Sequence, residues 1–361
     1  MRRTPALIVG GGPAGAACAI GFARAGLPHL LVERSRETGD ALCGGFLSWR
    51  TLDRLTALGI DPDQLNRERL TTVRLFAGKR RATAALPRAA LAVSRRRLDT
   101  LLLAQAERVG AAVERGVAVR AIDGTQARTA DGASLASETL FLASGKHDVR
   151  GLARPVAARG DDPTLGLRVR LHPSPALSAL LGGAIELHLF PGGYAGLCLQ
   201  EDGSANLCMA VHRSRLDAAG DPTALIGQLG RELPALSERL AWLDGDPPVD
   251  AVANVPYGWR AHVAPPGVVR LGDQAGVIPS LAGEGMGIAI ASGIAAARRY
   301  TDGGPEAMRD WQPRFARRLA RPLGVAGLVR RVVESRAAPA ALLLARPALI
   351  DLIARATRVG A

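Results

Sequence analysis

The chain has 361 residues, 48% apolar and 22% charged, with a formal net charge of +13, long enough for a large core in two interlocked domains. Only Lys79 and Lys146 are lysines, so 44 arginines carry that charge, yet aromatics are just 4% and no recognition motif accompanies them, which argues against a nucleic-acid partner. No apolar run approaches the roughly 20 residues that span a bilayer, the opening is too short for a signal peptide, and Cys18, Cys43, Cys198 and Cys208 lack metal-ligand spacing, so a cytoplasmic protein without disulfide or metal is expected.

Ala6 to Val9 is a short apolar run suited to a buried parallel strand, Ala14 to Ala25 is an Ala-rich helix, and His29 to Val32 reads as a second strand. Between them stand Gly10, Gly12 and Gly15, with Pro13 and Ala14 in the first helical turn, and Glu33 closes the second strand. Glycines at that spacing let the backbone turn tightly against a pyrophosphate at a helix N terminus, and an acid at that distance accepts ribose hydroxyl hydrogens. A later strand ends in AlaSerGlyLys at Ala143 to Lys146. From Asp161 to Asp250 the pattern alternates with period two at Leu165, Ala184, Tyr194 and Ala205, with GlyGly and AspGly turns, and predicts an antiparallel sheet, with a helical return from Pro222 to Leu243. Val268 to Leu271 predicts a strand that delivers Gly272 and Asp273, and after Pro279 the residues Gly283, Gly285, Met286 and Gly287 open a helix. From Arg314 onward, apolar residues and arginines alternate at helical spacing. That tail is read as helices packed on the nucleotide domain with their arginines wet, and the same alternation suits peripheral contact with an anionic membrane.

The glycine loop, Glu33 and the GlyAsp segment with its following proline and glycines together resemble the FAD-dependent superfamily of aromatic hydroxylases, flavin-dependent halogenases and geranylgeranyl reductases. The resemblance implies an α/β fold. A Rossmann-like FAD-binding domain of the glutathione-reductase type would run discontinuously over 1–72, 90–160 and 251–300. An interleaved antiparallel β-sheet substrate domain would take 73–89 and 161–250, and C-terminal helices 301–361. It also implies Asp273 on the ribitol hydroxyls and the helix start at Gly285 facing the pyrimidine edge of the ring. Arg34 joins Glu33 on the nucleotide side. Arg95, in a segment like the family's ArgxxPheAsp, reaches the FAD phosphate or ribose, and the backbone of Ser144 and Gly145 lies beside the dinucleotide. Cys43 and Gly44, in a CysGly loop with Phe46, flank the ring and substrate, and Tyr194, Tyr257 and Trp259 line the substrate pocket.

A CysxxxxCys near the first helix and a second GxGxxG are both missing, which disfavours a disulfide-reductase architecture. The geranylgeranyl reductase pattern TyrxTrpxPhePro followed by AsnxGlyxGly keeps its frame at Tyr194 and Asn206. Gly196, Cys198, Leu199 and Cys208 replace its inner residues, which counts against an isoprenoid reductase. Neither lysine sits in a halogenase context. The leading expectation is a monooxygenase that hydroxylates a hydrophobic aromatic or lipid-like small molecule through a flavin C4a-hydroperoxide. NADPH or NADH would visit as hydride donor, or an electron carrier would serve. The alternative is a reductase of an isoprenoid or enone double bond. The chemistry is flavin-borne, so no protein acid or base is assigned, and His147 and His262 are read as surface or loop residues.

Overall fold

Ala6, Leu7, Ile8 and Val9 are all buried, as a run covered on both faces must be, and they form the end of strand β1 (Arg2–Val9) at the centre of a largely parallel sheet. The computed structural model describes residues 2–245 and 247–360. Helix α1 (Pro13–Arg24) connects β1 to strand β2 (His29–Glu33), which pairs parallel with β1, Ala6 opposite His29. The strand Ser134–Leu142 runs parallel on the other side of β1. Its far edge is shared: Gln126–Thr129 pairs antiparallel with its first residues, and Val268–Arg270 pairs parallel with its last, Val268 opposite Leu140. That division brings the chain after Arg270 to the same carboxyl edge as Gly10 and Ala143, where ligands bind in open α/β sheets.

Small residues set how closely the helices approach this edge. Helix α1 crosses the long helix Gly285–Ala307, which is kinked at Gly303 and Gly304. A Cβ added at Gly21 would lie 2.5 Å from Cβ of Ala297, and one at Gly293 would lie 2.3 Å from the Ala14 carbonyl oxygen. The crossing therefore fixes the start of the long helix against the glycine loop.

Among the described residues the second sheet has eight strands, in the order Asp250–Val255, Thr164–Leu171, Ala205–His212, Gly193–Leu199, Ala184–Phe190, Leu70–Ala77, Arg80–Ala92 and Phe46–Leu47. Neighbours are antiparallel, as the alternation predicts, except that Leu70–Ala77 and Ala184–Phe190 run parallel. The sheet is wider than 73–89 and 161–250, since it takes in Phe46–Leu47, all of Leu70–Ala77 and Arg80–Ala92, and Asp250–Val255. Leu167, Val169 and Leu171 pack with Leu225, Leu229 and Leu236 of the overlying helices on one face. Leu189 and Tyr194 pack with Ala338 and Leu342 of the C-terminal segment on the other. The predicted return from Pro222 to Leu243 is two helices, Pro222–Glu232 and Pro234–Leu240. Pro234 has no N–H to continue the first, and Leu233 before it is extended at φ −122° and ψ 92°.

The tail begins with helix Trp311–Val333, tied to the first sheet where Gln312 Oε1 accepts from Arg270 N at 3.0 Å and Trp311 Nε1 donates to Arg270 O at 3.3 Å. It then crosses the second sheet as Ala338–Ala341 and Pro347–Ala356. Among the described residues no helix is long and apolar enough to cross a membrane.

Candidate active site

β1 ends at Val9 and is followed by Gly10, whose φ of +108° favours glycine and whose added Cβ would lie 2.6 Å from the Ala143 carbonyl oxygen, so Ala143 and Ser144 lie directly against the loop. A Cβ at Gly15 would sit only 1.9 Å from the Gly10 carbonyl oxygen. Gly12 differs, because its Cβ would meet nothing but the Arg95 guanidinium, at 3.4 Å. Gly12 is the N-cap of α1 and no side chain caps the helix. Pro13 has no N–H and the first helical bond is Ala16 N to Gly12 O at 2.9 Å, so the N–H groups of Ala14 and Gly15 have no helical partner and form a cradle for an anion.

Glu33 braces that loop from the side: its Oε2 accepts from Gly11 N at 2.7 Å and its Oε1 from Ser35 N at 2.9 Å. Arg34 is exposed, with Nη2 2.9 Å from His147 Nε2. Arg95 opens helix Arg95–Arg108 and is held by two bonds to Asp99, at 3.0 and 2.7 Å, which fixes its guanidinium beside Gly12. Ser144 Oγ donates to His147 O at 2.8 Å, and Gly145 O accepts from Gln274 Nε2 at 2.9 Å, which ties this turn to the GlyAsp turn.

Gly272 N donates to Ser292 Oγ at 2.9 Å, and Lys146 Nζ stands 4.0 Å from the Asp273 carboxylate. Pro279 leads into the turn Ser280–Ala282 and then to Gly283, whose φ is +60° and whose Cβ would lie 2.5 Å from the Phe46 ring. Glu284 is the N-cap of helix Gly285–Ala307 but does not cap it with its side chain. Its buried carboxylate accepts instead from Ser48 Oγ at 3.0 Å, Arg358 Nη1 at 2.6 Å and Val359 N at 3.3 Å. The first helical bond is Ile288 N to Glu284 O at 2.8 Å, which leaves the N–H groups of Gly285, Met286 and Gly287 free of helical partners. A Cβ at Gly285 would meet no atom within 4 Å.

The Cys43 loop is held from the second sheet. Arg168 Nη1 donates to Asp40 Oδ2 at 3.0 Å, Arg170 pairs with the same carboxylate, and Asn206 Nδ2 donates to Cys43 O at 3.0 Å. Cys198 Sγ lies 3.4 Å from Gly44 O. A cavity of about 460 Å³ opens between this loop, Asp273, Gly283 to Met286, the second sheet and the tail helices. Two uncapped helix N termini with open space over Gly12 and Gly285, the Arg95 cation, and the Glu33 and Asp273 carboxylates as acceptors around them match the phosphates and hydroxyls of a flavin dinucleotide, so the residues present fit FAD.

Residues 3–148 match the family described as FAD binding domain. The chain is an FAD-dependent oxidoreductase. The menaquinone reductase of Mycobacterium tuberculosis strain H37Rv is 27% identical over 344 residues, spanning 89% of this chain and 81% of that protein. The solved structure of a geranylgeranyl bacteriochlorophyll reductase-like protein from Thermoplasma acidophilum superposes with a TM-score of 0.74 at 20% identity, covering 100% of this chain and 94% of that one. A mutant of PqsL from P. aeruginosa gives a TM-score of 0.75 at 18% identity, covering 95% and 100%. At such identities the two structures share the fold with this flavoprotein across nearly its whole length.

In this oxidoreductase Cys43, Gly44, Phe46, Tyr194, Tyr257, Asp273, Gly283, Gly285 and Met286 meet at the cavity, while Gly10, Gly12, Glu33 and Arg95 lie together at the adjoining glycine loop, a cradle that would suit a nucleotide. Trp259 does not join them. Trp259 N bonds back to Pro256 O at 3.1 Å, and the turn sends the indole under the guanidinium groups of Arg154 and Arg270, 5.8 and 6.0 Å from its ring. Lys146, Cys198, Cys208 and Ser280 also line the cavity. Lys146 was within reach of sequence reasoning, since it follows the AlaSerGly turn directly. The tail residues Leu342, Ile350 and Ile353 in the wall carried no signal, because an apolar residue at helical spacing reads as ordinary core. Burial pushes the thiols of Cys198 and Cys208 up to about 12 and raises the phenols of Tyr194 and Tyr257. All four are uncharged at neutral pH.

Proposed function

We propose that this enzyme reduces a carbon–carbon double bond of a lipophilic, isoprenoid-like small molecule. The supporting observation is the character of the cavity. Its walls are aliphatic, including Val73, Leu75, Leu187, Leu189 and Met209, the Cys198 and Cys208 thiols and both phenols are protonated, and its acidic and basic lining residues are Lys146, Asp273 and Arg358. Such walls desolvate a hydrocarbon readily, and the two cations are already engaged, Lys146 4.0 Å from Asp273 and Arg358 2.6 Å from Glu284, so a charged aromatic acid would meet no free counter-ion. The names carried by the M. tuberculosis relative and by the T. acidophilum structure support the same class.

Reduced FAD, when bound, supplies a hydride to one carbon of the double bond. The second carbon needs a proton, which we assign to the Tyr257 hydroxyl. Tyr257 donates to Ser280 Oγ at 2.7 Å; Ser280 lies 2.5 Å from the Tyr194 hydroxyl, whose oxygen accepts from Leu281 N at 2.9 Å. These bonds hold Tyr257 at the wall, and since Tyr257 itself is only partly buried its oxygen recovers the proton from solvent. Gly196, which stands where the resembling reductases carry Trp, leaves room beside Leu187, whose Cδ2 would be 3.5 Å from an added Cβ. The electrons come from NADPH, NADH or a carrier.

The test is anaerobic. FAD-loaded protein is reduced with NADPH, or with dithionite if NADPH fails, and mixed with a short-chain isoprenoid alcohol that carries no redox-active ring. Flavin reoxidation without oxygen and a product heavier by two hydrogens support the reading. A product heavier by one oxygen, formed only when air is admitted, overturns it in favour of hydroxylation, which the same water-excluding walls also suit.

A further inference from the structure

Among the described residues eight large apolar side chains are exposed, and six of them fall in the tail: Leu328, Val332, Leu343, Leu344, Leu349 and Leu352. Helix Pro347–Ala356 shows how they arise. Ile350, Ile353 and Ala354, at i, i+3 and i+4, line the cavity, whereas Leu349 and Leu352 on the neighbouring flank are 41% and 59% exposed. Its charged residues are Asp351 and Arg355, paired at 2.8 Å. A helix apolar around most of its circumference belongs in a core or a bilayer, and no residue of this one is fully buried. Leu328, Val332 and Leu349 both line the cavity and are exposed, so they mark its opening, while Leu343 and Leu344 beside it are 63% and 70% exposed.

The charge around this apolar surface identifies what it meets. From residue 314 to the end there are ten arginines against Glu334 and Asp351. Arg331, Arg336 and Arg346 are exposed and make no ion pair among the described residues. Apolar side chains set among unpaired cations complement anionic headgroups over an acyl layer, and the same cations repel a second copy of this face.

We propose that the tail docks on an anionic lipid bilayer, with Leu343, Leu344, Leu349 and Leu352 in the acyl boundary and Arg331, Arg336 and Arg346 on the headgroup phosphates, so that the cavity opens toward the membrane. The assignment rests on the surface alone, and flotation reads it without turnover. FAD-loaded full-length protein is floated with phosphatidylcholine vesicles with and without phosphatidylglycerol, at low and high salt. The expected result is flotation with the anionic vesicles that weakens as salt screens the arginines. Leu343→Glu with Leu344→Glu should lower binding at least about tenfold, and Arg331→Glu with Arg346→Glu should abolish the preference for phosphatidylglycerol, both at unchanged flavin absorbance per chain. Wild-type protein that stays with neither vesicle at low salt overturns the proposal. So does a leucine variant that floats like wild type, or a wild-type dimer in sedimentation that the leucine substitutions dissolve.

Discussion

The nucleotide cradle and the substrate cavity meet at Asp273 and Gly285, yet they are made of different material. The cradle is backbone: glycines that allow close approach, uncapped helix ends that present N–H groups, and a few side chains such as Glu33 and Arg95 that brace them. The cavity is side-chain surface, built from alternate residues of the second sheet and covered by tail helices distant in sequence. Backbone chemistry tolerates almost no variation at its key positions, whereas an aliphatic wall changes shape by ordinary substitutions. The glycine-rich edge of the first sheet is therefore rigidly specified, and the aliphatic wall of the second is the part free to vary.

Substitutions at neighbouring glycines break this comparison most sharply. Gly15→Val puts its Cβ 1.9 Å from a backbone oxygen that cannot move aside, so no folded, flavin-bearing protein should accumulate; soluble yield and absorbance near the flavin band check this. Gly12→Val has no such clash with backbone, its nearest neighbour being the Arg95 guanidinium at 3.4 Å. The fold should persist, with the thermal unfolding of the wild-type apoprotein, while FAD affinity falls by about 100-fold, near 2.7 kcal/mol. Stoichiometric FAD in that variant would show that the space over Gly12 is not the cradle.

Glu186 puts a buried charge of the second sheet on the face away from the cavity, opposite to Ile185 and Leu187. Glu186, fully buried, accepts from Arg239 at 2.9 and 3.0 Å and from Arg74 at 3.2 Å, and His188 lies 3.3 Å away, kept neutral because burial lowers its pKa. Burial works to raise the Glu186 carboxyl, but His188 and Arg239 outweigh it and bring it from 4.5 down to about 2. The unfolded chain takes up this proton first, so the stabilisation is complete above pH 4.5 and is lost as pH falls toward 2. Glu186→Gln should cost about 2 to 3 kcal/mol at neutral pH, and its melting temperature should converge with wild type over that acid window. A constant difference down to pH 2 would contradict the pairing.

The smallest effect is the most diagnostic of the division. Gly196→Trp fills space in the wall without touching the cradle. Flavin content should stay at wild-type level while KM for a prenylated substrate rises about tenfold, near 1.4 kcal/mol. A loss of FAD instead would mean that the two halves are not separable.

What was legible in the sequence follows the same line. Gly10, Gly12, Gly15, Glu33, Gly272, Asp273 and the glycines from Gly283 could be read directly, because each serves a local requirement: a turn, a close approach, or a strand or helix end. The strands from Leu165 to Ala205 were legible too, since period-two alternation is itself the imprint of a sheet with unlike faces. The sequence by itself determined the FAD fold and the glycine turns, strand ends and helix starts along its carboxyl edge. Tertiary structure alone decided that Leu70–Ala77 pairs parallel with Ala184–Phe190, that Trp259 turns toward Arg154 and Arg270 instead of the cavity, and that the tail roofs the substrate site. Those outcomes depend on which distant apolar surfaces meet. Burial is non-directional, so a leucine in Pro347–Ala356 reads the same whether it faces a core, a substrate or a bilayer.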